Sequence, residues 1–258
     1  MTVLSKLNLT RDSVGRPRDT CKNKMGTVIH MKVTYWSDYA CPYCYIGETR
    51  LEKAIATLGL EGEVETEMKA FELNPEAPRE VVGPTLDRFA TKYGLSKEEA
   101  AERIEQISQM GRGEGIDFNY ATTLNTNMLD AHRLTKLAHE LGNDTFEQLC
   151  FRAYFVDNEV MADHDVLRRL AAEAGLPKAD VERVLASDEY EDAVRADERE
   201  AQFSGISAVP FFVIDGKYAM AGCYPTAEMA KVLLKAREES QADKAAQGAT
   251  CGPDGCAF

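Results

Sequence analysis

No run of about eighteen apolar residues occurs anywhere in the 258-residue chain, so no membrane-spanning helix is expected. Basic charge is in deficit: 30 Lys and Arg stand against 43 Asp and Glu, a net charge of -13. A nucleic-acid partner would require a clustered basic face, so that class of function is excluded, and a soluble, self-repelling surface is the plain reading. The stretch from Met1 to Lys24 is polar and mixed in charge and lacks the apolar run of a secretory signal, so the protein reads as cytoplasmic. Histidine is sparse, and His30, His139 and His164 show no metal-ligand spacing among themselves. No internal repeat is present. The glycine-rich stretch Gly111-Arg-Gly-Glu-Gly115 lacks the Lys-Ser/Thr that completes a phosphate cradle and reads as a loop.

What the chain does carry is cysteine in two close pairs, Cys41 with Cys44 and Cys251 with Cys256; Cys21, Cys150 and Cys223 stand alone. In a chain without a secretory signal, seven cysteines do not imply a structural disulfide framework, and catalytic or metal-binding roles come forward. Cys41-Pro-Tyr-Cys44 sits at a predicted strand-to-helix junction. With Cys41 opening a helix, the unpaired backbone N–H groups and the helix dipole favour its thiolate, the attacking species in disulfide exchange. Cys44, one turn later on the same face, can attack the mixed disulfide and release the substrate. A Cys-x-x-Cys is also half of a zinc site, for which Cys251 and Cys256 would supply the remaining thiolates. The redox reading is preferred because of the elements around the pair.

Residues from Val28 to Tyr35 alternate as a strand and deliver the chain to the cysteines. Leu51, Ala54, Ile55 and Leu58 then fall at helical spacing before Gly59, and Val64, Thr66, Met68 and Ala70 alternate as a second strand. From Asn74 to about Ala186 the pattern is helical, with a capping box at Ser96 and Glu99 and breaks at prolines and glycines. A helix over residues 188–203 leads to an apolar run entered by Pro210, which turns at Asp215-Gly216 into a hairpin, and a last helix follows Pro225. The order β-α-β, helices, α-β-β-α describes an α/β thioredoxin fold with a large inserted helical domain. The expected division is a disordered extension over 1–27, a discontinuous thioredoxin-like domain over 28–74 and 187–237, the insert over 75–186 and a flexible tail over 238–258. A small, polar linker of about a dozen residues would reach roughly 40 Å at full stretch, enough for Cys251 and Cys256 to meet the first pair.

Three stretches resemble one family: Ser37-Asp-Tyr-Ala-Cys41-Pro-Tyr-Cys44-Tyr-Ile-Gly47, Asn127-Met-Leu-Asp-Ala-His132-Arg-Leu, and Gly205-Ile-Ser-Ala-Val209-Pro210. Together they make the chain similar to DsbA-like thioredoxin-fold oxidoreductases of the FrnE branch, related to 2-hydroxychromene-2-carboxylate isomerases and kappa-class glutathione transferases. The resemblance spans about Val28 to Ala236. It implies that Pro210 is a cis-proline opposite the active disulfide and that the backbone of Val209 pairs with an extended substrate. It also raises the redox reading of Cys251 and Cys256. Tyr43 stands where the branch commonly has Trp, so the direction of catalysis is left open, since residues between the cysteines tune thiol pKa and potential. The isomerase relatives typically have Ser in place of the first Cys and use glutathione; both thiols here count against that activity.

The expected site is therefore Cys41 as nucleophile, Cys44 as resolving thiol and Pro210 shaping the groove, with Cys251 and Cys256 auxiliary. Tyr43, Val209, Trp36 and His132 are expected to border the substrate groove, although His132 on a helix with Ala131, Leu134 and Leu137 reads equally as a packed helical histidine. Cys150 reads as an inert core thiol and Cys223 as a small packing residue. No organic cofactor and no metal is required; glutathione is left open as a co-substrate and zinc as the alternative. Partners would be thiol or disulfide proteins or low-molecular-weight thiols.

Overall fold

Alternation builds the first strand, β1 (Met31–Ser37): Met31, Val33 and Tyr35 are buried on one face while Lys32 is exposed on the other. The structure, a computed structural model, describes residues 31–248. Strand β2 (Val64–Ala70) lies parallel to β1, from Met31 beside Val64 to Ser37 beside Ala70. A parallel pair needs a crossover, and α1 (Pro42–Leu58) supplies it, stopped by Gly59 in the left-handed conformation. Strands β3 (Phe211–Ile214) and β4 (Tyr218–Ala221) form the hairpin, β3 running antiparallel to β1, so the sheet order is β2-β1-β3-β4.

Between β2 and β3 come α2 (Thr85–Tyr93), α3 (Lys97–Gly113), α4 (Leu129–Glu140), α5 (Thr145–Phe155), α6 (His164–Glu173), α7 (Lys178–Leu185) and α8 (Glu191–Phe203). The capping box is present: the Ser96 side chain accepts from the Glu99 N–H, and the Glu99 carboxylate accepts from the Ser96 N–H. Two expectations are corrected here. The glycine run does not begin a loop, because α3 continues through Gly113. At Gly111 the helix passes so near Phe118 that a Cβ would stand 2.7 Å from two ring carbons, so this glycine serves close packing rather than helix termination. The flexible tail expected from Glu238 is instead helical as far as Gly248, the end of α9 (Thr226–Gly248). Ala, Glu, Gln, Lys and Arg dominate that stretch, with no Gly or Pro before Gly248, and these are strong helix formers. The expected extension over 1–27 and the pair Cys251 and Cys256 lie outside the described residues.

Helix α9 also sets direction. It begins next to the N-terminal half of α1, where Arg50 Nη1 donates to the Cys223 carbonyl at 3.0 Å, and passes beyond α1 where Arg237 pairs with Glu63 at 2.8 Å. Its 23 residues, about 35 Å at 1.5 Å per residue, thus run away from Cys41.

The inserted helices have no core of their own. Met31, Val33 and Tyr35 of the sheet share one continuous apolar cluster with α1, α9 and the residues of α3 to α7. An aromatic seam closes the join: Tyr45 of α1 stacks on Phe151 of α5 at 5.2 Å, Tyr39 meets Phe151 at 4.8 Å, and Phe118 meets Phe155 at 5.1 Å. The opposite sheet face carries a smaller cluster of Trp36, Val213, Ile206 and Ala201, covered by α8.

Candidate active site

The chain leaves β1 at Ser37 and turns through Asp38, Tyr39 and Ala40 into α1. Asp38 organises the turn: its Oδ1 accepts from the Ala40 N–H at 3.1 Å, its Oδ2 from the Leu73 N–H at 2.7 Å, and its carbonyl from the Cys41 N–H at 2.9 Å. Cys41 is the N-cap of α1 rather than its first residue, with Pro42 following where a helix needs no N–H. The Cys44 N–H donates to the Cys41 carbonyl at 3.0 Å, which sets the second thiol one turn along the helix.

The two thiols are unequal. Cys41 is 4% exposed and its Sγ donates to the Val209 carbonyl at 3.6 Å, whereas Cys44 is fully buried. Burial, then the hydrogen bond with Cys41, push the Cys44 thiol well above the ordinary range. The Val209–Pro210 peptide bond is cis. Gly47 lets α1 approach that strand: a Cβ there would stand 3.0 Å from Pro210 Cγ and 3.2 Å from Phe212 Cζ. Cys41, Cys44, Tyr43, Val209 and Pro210 are therefore brought together.

Two expected groove residues are not. Trp36 lies on the other face of the sheet, because the period of two that puts Tyr35 toward α1 turns its neighbour away; its indole N–H donates to the Asp197 carbonyl at 3.0 Å. His132 is buried behind the turn, with Nε2 3.5 Å from Asp38 Oδ1 and its ring 4.9 Å from Tyr39, and so supports the loop rather than bordering the groove. Cys150 is buried in the core, and Cys223 is half-buried beside Gly47.

A cleft of about 670 Å³ opens beside Cys41, Pro42 and Tyr43. Its far wall is α2, a helix that sequence reading did not pick out, contributing Arg88, Phe89, Lys92 and Tyr93; the segment after β2 contributes Glu72 and Leu73. Pro84-Thr85 followed by Arg88 with Lys92, and Phe89 with Tyr93, each four apart, was the signal available. Among the described residues no group of three or more His, Cys, Asp or Glu could hold a metal ion. Among them also, no helix is long and apolar enough to cross a membrane.

Beneath Cys44 lies a buried pair of acids that sequence reading also missed. Ser37 Oγ donates to Glu48 Oε1 at 2.5 Å, Tyr35 Oη donates to Glu147 Oε1 at 2.6 Å, and His139 Nε2 is 3.4 Å from Glu147 Oε2. Burial, reinforced by the Glu147 charge and its hydrogen bond, pushes the Glu48 carboxyl well above its ordinary value. Burial also pushes Glu147 up, but hydrogen bonds from His139, Glu48 and Tyr35 outweigh it and hold that group below the ordinary range. Of the pair, Glu48 is thus the acid that keeps its proton longer and Glu147 the one that yields it first. A raised folded pKa means that the folded chain binds more protons than the unfolded chain above the ordinary value of 4.5, so stability is lost as pH rises from there. A Glu48→Gln chain, whose amide can still donate to Glu147, is expected to lose less stability than the parent as pH rises above about 5, by up to about 1.4 kcal/mol per pH unit. Parallel urea midpoints for the two chains above that pH would refute the assignment.

A four-stranded mixed sheet, a dithiol at the start of the crossover helix and a cis-proline facing it define a thioredoxin-fold dithiol protein. The family description of a DSBA-like thioredoxin domain matches residues 32–234, and the chain belongs to that family. A probable DsbA oxidoreductase from Streptomyces coelicolor superposes with a TM-score of 0.76 at 36% identity, covering 89% of this chain and 99% of that one. The uncharacterized protein YwbO of Bacillus subtilis is 30% identical over 197 residues, which is 72% of this chain and 86% of that protein. The cytosolic disulfide reductase DsbM of Pseudomonas aeruginosa shares the fold, with a TM-score of 0.52 at 15% identity over 82% of this chain and 98% of that one. The chain is an enzyme of the DsbA-family oxidoreductase kind.

Proposed function

We propose that the protein is a thiol-disulfide oxidoreductase that cycles Cys41 and Cys44 between dithiol and disulfide. The observation that carries this reading is the position of Cys41 Sγ, between the start of α1, the Val209 carbonyl and the open cleft, with Cys44 sealed behind it. Cys41 attacks a substrate disulfide and one substrate thiolate departs. Cys44, reachable only from Cys41, then attacks the Cys41 sulfur; its proton leaves with the second substrate thiol, and the Cys41–Cys44 disulfide forms. The reverse sequence oxidises a dithiol. Pro210 shapes the groove and Val209 offers backbone to an extended segment. Substrates are thiol or disulfide proteins or low-molecular-weight thiols, no organic cofactor takes part, and the cytoplasm is the location that goes with this chemistry.

Coupling to Cys251 and Cys256 belongs to the proposal with one condition. Since α9 runs away from Cys41, a tail reaching it within one chain requires the helix beyond Arg237 to unwind, or else the tail comes from a second chain.

In an insulin-reduction assay with dithiothreitol as electron source, Cys41→Ser is expected to lower turnover by about a thousandfold, the scale at which removing a nucleophile acts. Unchanged turnover would overturn the mechanism. Turnover that survives the replacement but depends on glutathione would point to isomerase or transferase chemistry, and zinc release on thiol oxidation would point to a metal module.

A further inference from the structure

Helix α4 turns polar side chains into the core. His132, Thr135 and His139 follow one another at spacings of three and four, a single stripe along the helix, and the first two are buried. Each meets a residue at the dithiol turn or beneath it. His132 Nε2 lies 3.5 Å from Asp38 Oδ1, and its ring lies 4.9 Å from that of Tyr39. Thr135 Oγ1 donates to the Ala131 carbonyl at 2.9 Å and so accepts from Tyr39 Oη, 2.5 Å away. His139 faces Glu147. One helix of the insert thus backs the turn that carries Cys41, and His132 touches the residue that builds that turn.

Asp38 is 1% exposed, and among the described residues His132 is the side chain that joins the backbone N–H groups of Ala40 and Leu73 around its carboxylate. Since its carbonyl takes the Cys41 N–H, a buried negative charge stands at the turn that carries the nucleophile. That charge opposes the Cys41 thiolate, and the more so where little water screens it. A histidine donor beside Oδ1 offsets it. The other charged groups on this side are already matched: Glu72, which also faces His132, pairs with Arg195 of α8 at 2.6 Å, and on α4 itself Arg133 pairs with Asp130 and Lys136 with Asp197. We infer that His132 is a positioning residue for thiol-disulfide exchange: acting through Asp38, it fixes the turn at Cys41 and favours the dithiol, whose Cys41 carries the charge, over the disulfide. This rests on the thiol-disulfide reading above. When the dithiol meets oxidised glutathione, Cys41 bonds to one glutathione sulfur as that S–S bond breaks, and one thiol departs. Cys44 then bonds to Cys41 as the mixed disulfide breaks, and the second departs. The dithiol loses two electrons, glutathione gains them, and the two protons of the enzyme thiols leave on the products. Asp38 weighs on the dithiol side of this equilibrium, because disulfide sulfurs carry no charge.

The test equilibrates the full chain in buffers of reduced and oxidised glutathione and reads the state of Cys41 and Cys44 by mass spectrometry of the alkylated peptide that holds both, so that other cysteines do not enter. His132→Leu, which packs on Tyr39 but cannot donate, is expected to shift the equilibrium about tenfold toward the protein disulfide and to move the pH profile of Cys41 capping by iodoacetamide upward. His132→Gln, whose amide can donate to Asp38, is expected to recover most of both. Thr135→Val removes the neighbouring contact to Tyr39, which carries no charge, and is expected to lower stability with the equilibrium unmoved. Should His132→Leu fail to fold, Asp38→Asn still decides: removing the charge itself is expected to shift the equilibrium the other way, toward the dithiol. A His132→Leu equilibrium within twofold of the parent, a Gln variant that behaves as Leu, or an Asp38→Asn shift toward the disulfide overturns the inference. A parent chain that forms no Cys41–Cys44 disulfide in any of the buffers would instead overturn the thiol-disulfide reading itself.

Discussion

A chain carrying Cys44→Ser is expected to stop after the first half of exchange, with its substrate held on Cys41 as a mixed disulfide. Cys44 is completely buried while Cys41 faces the Val209 carbonyl and the cleft, so only Cys41 can meet an external disulfide and only Cys44 can resolve the product. Multiple turnover should fall by about a thousandfold, because the release step then waits for an external thiol that cannot match a neighbour held one helical turn away. Mass spectrometry of the non-reduced protein should show the substrate adduct on Cys41 in near-stoichiometric amount. An adduct on Cys223 or Cys150 in its place, or undiminished turnover, would contradict the division of roles. Adding a replacement of one tail cysteine to this chain asks about coupling as well: a bond from Cys41 to the remaining tail thiol would establish that the tail reaches the site.

The largest loss of stability is expected from Arg133→Met. This residue of α4 is buried, and its guanidinium donates to Asp130 at 2.8 Å, to the Glu189 carbonyl at 2.7 Å, to the Val184 carbonyl at 2.6 Å and to the Ser187 carbonyl. Those carbonyls belong to the end of α7 and the turn into α8, and their partners disappear together on substitution. Asp130 keeps Arg79 and His164, so the acid is not stranded; the loss comes from the orphaned backbone. Breaking such a buried charged hub costs about 3–5 kcal/mol, and removing it loosens α8 from its seat against β2. Urea denaturation followed by circular dichroism checks this, and a loss under about 1 kcal/mol would show that the backbone finds other donors.

Much of the fold was legible in local pattern. Alternation in β1 and β2, the apolar spacing of α1, the Ser96–Glu99 capping box and the Asp215-Gly216 turn each express a preference set within a few residues, and each appears in the structure. The reading failed where composition had to be weighed against contact. Gly111 looked like a breaker until Phe118 came against it, and residues 238–248 looked loose although their side chains favour helix. Trp36 stood near the cysteines in sequence, but one residue along a strand is the opposite face of a sheet.

The site divides in the same way. The identity of the two thiols, their spacing and the helix that starts at them depend on neighbours in the chain, and Cys41-Pro-Tyr-Cys44 alone declared the chemistry. Which thiol is open and which is sealed, the acid pair of Glu48 and Glu147 beneath them, and the cleft that α2 and the segment after β2 build beside Cys41 all join residues from separate elements. Burial and charge at those points depend on what the chain brings in from a hundred residues away, as with Tyr35 and Glu147, and packing alone decides that.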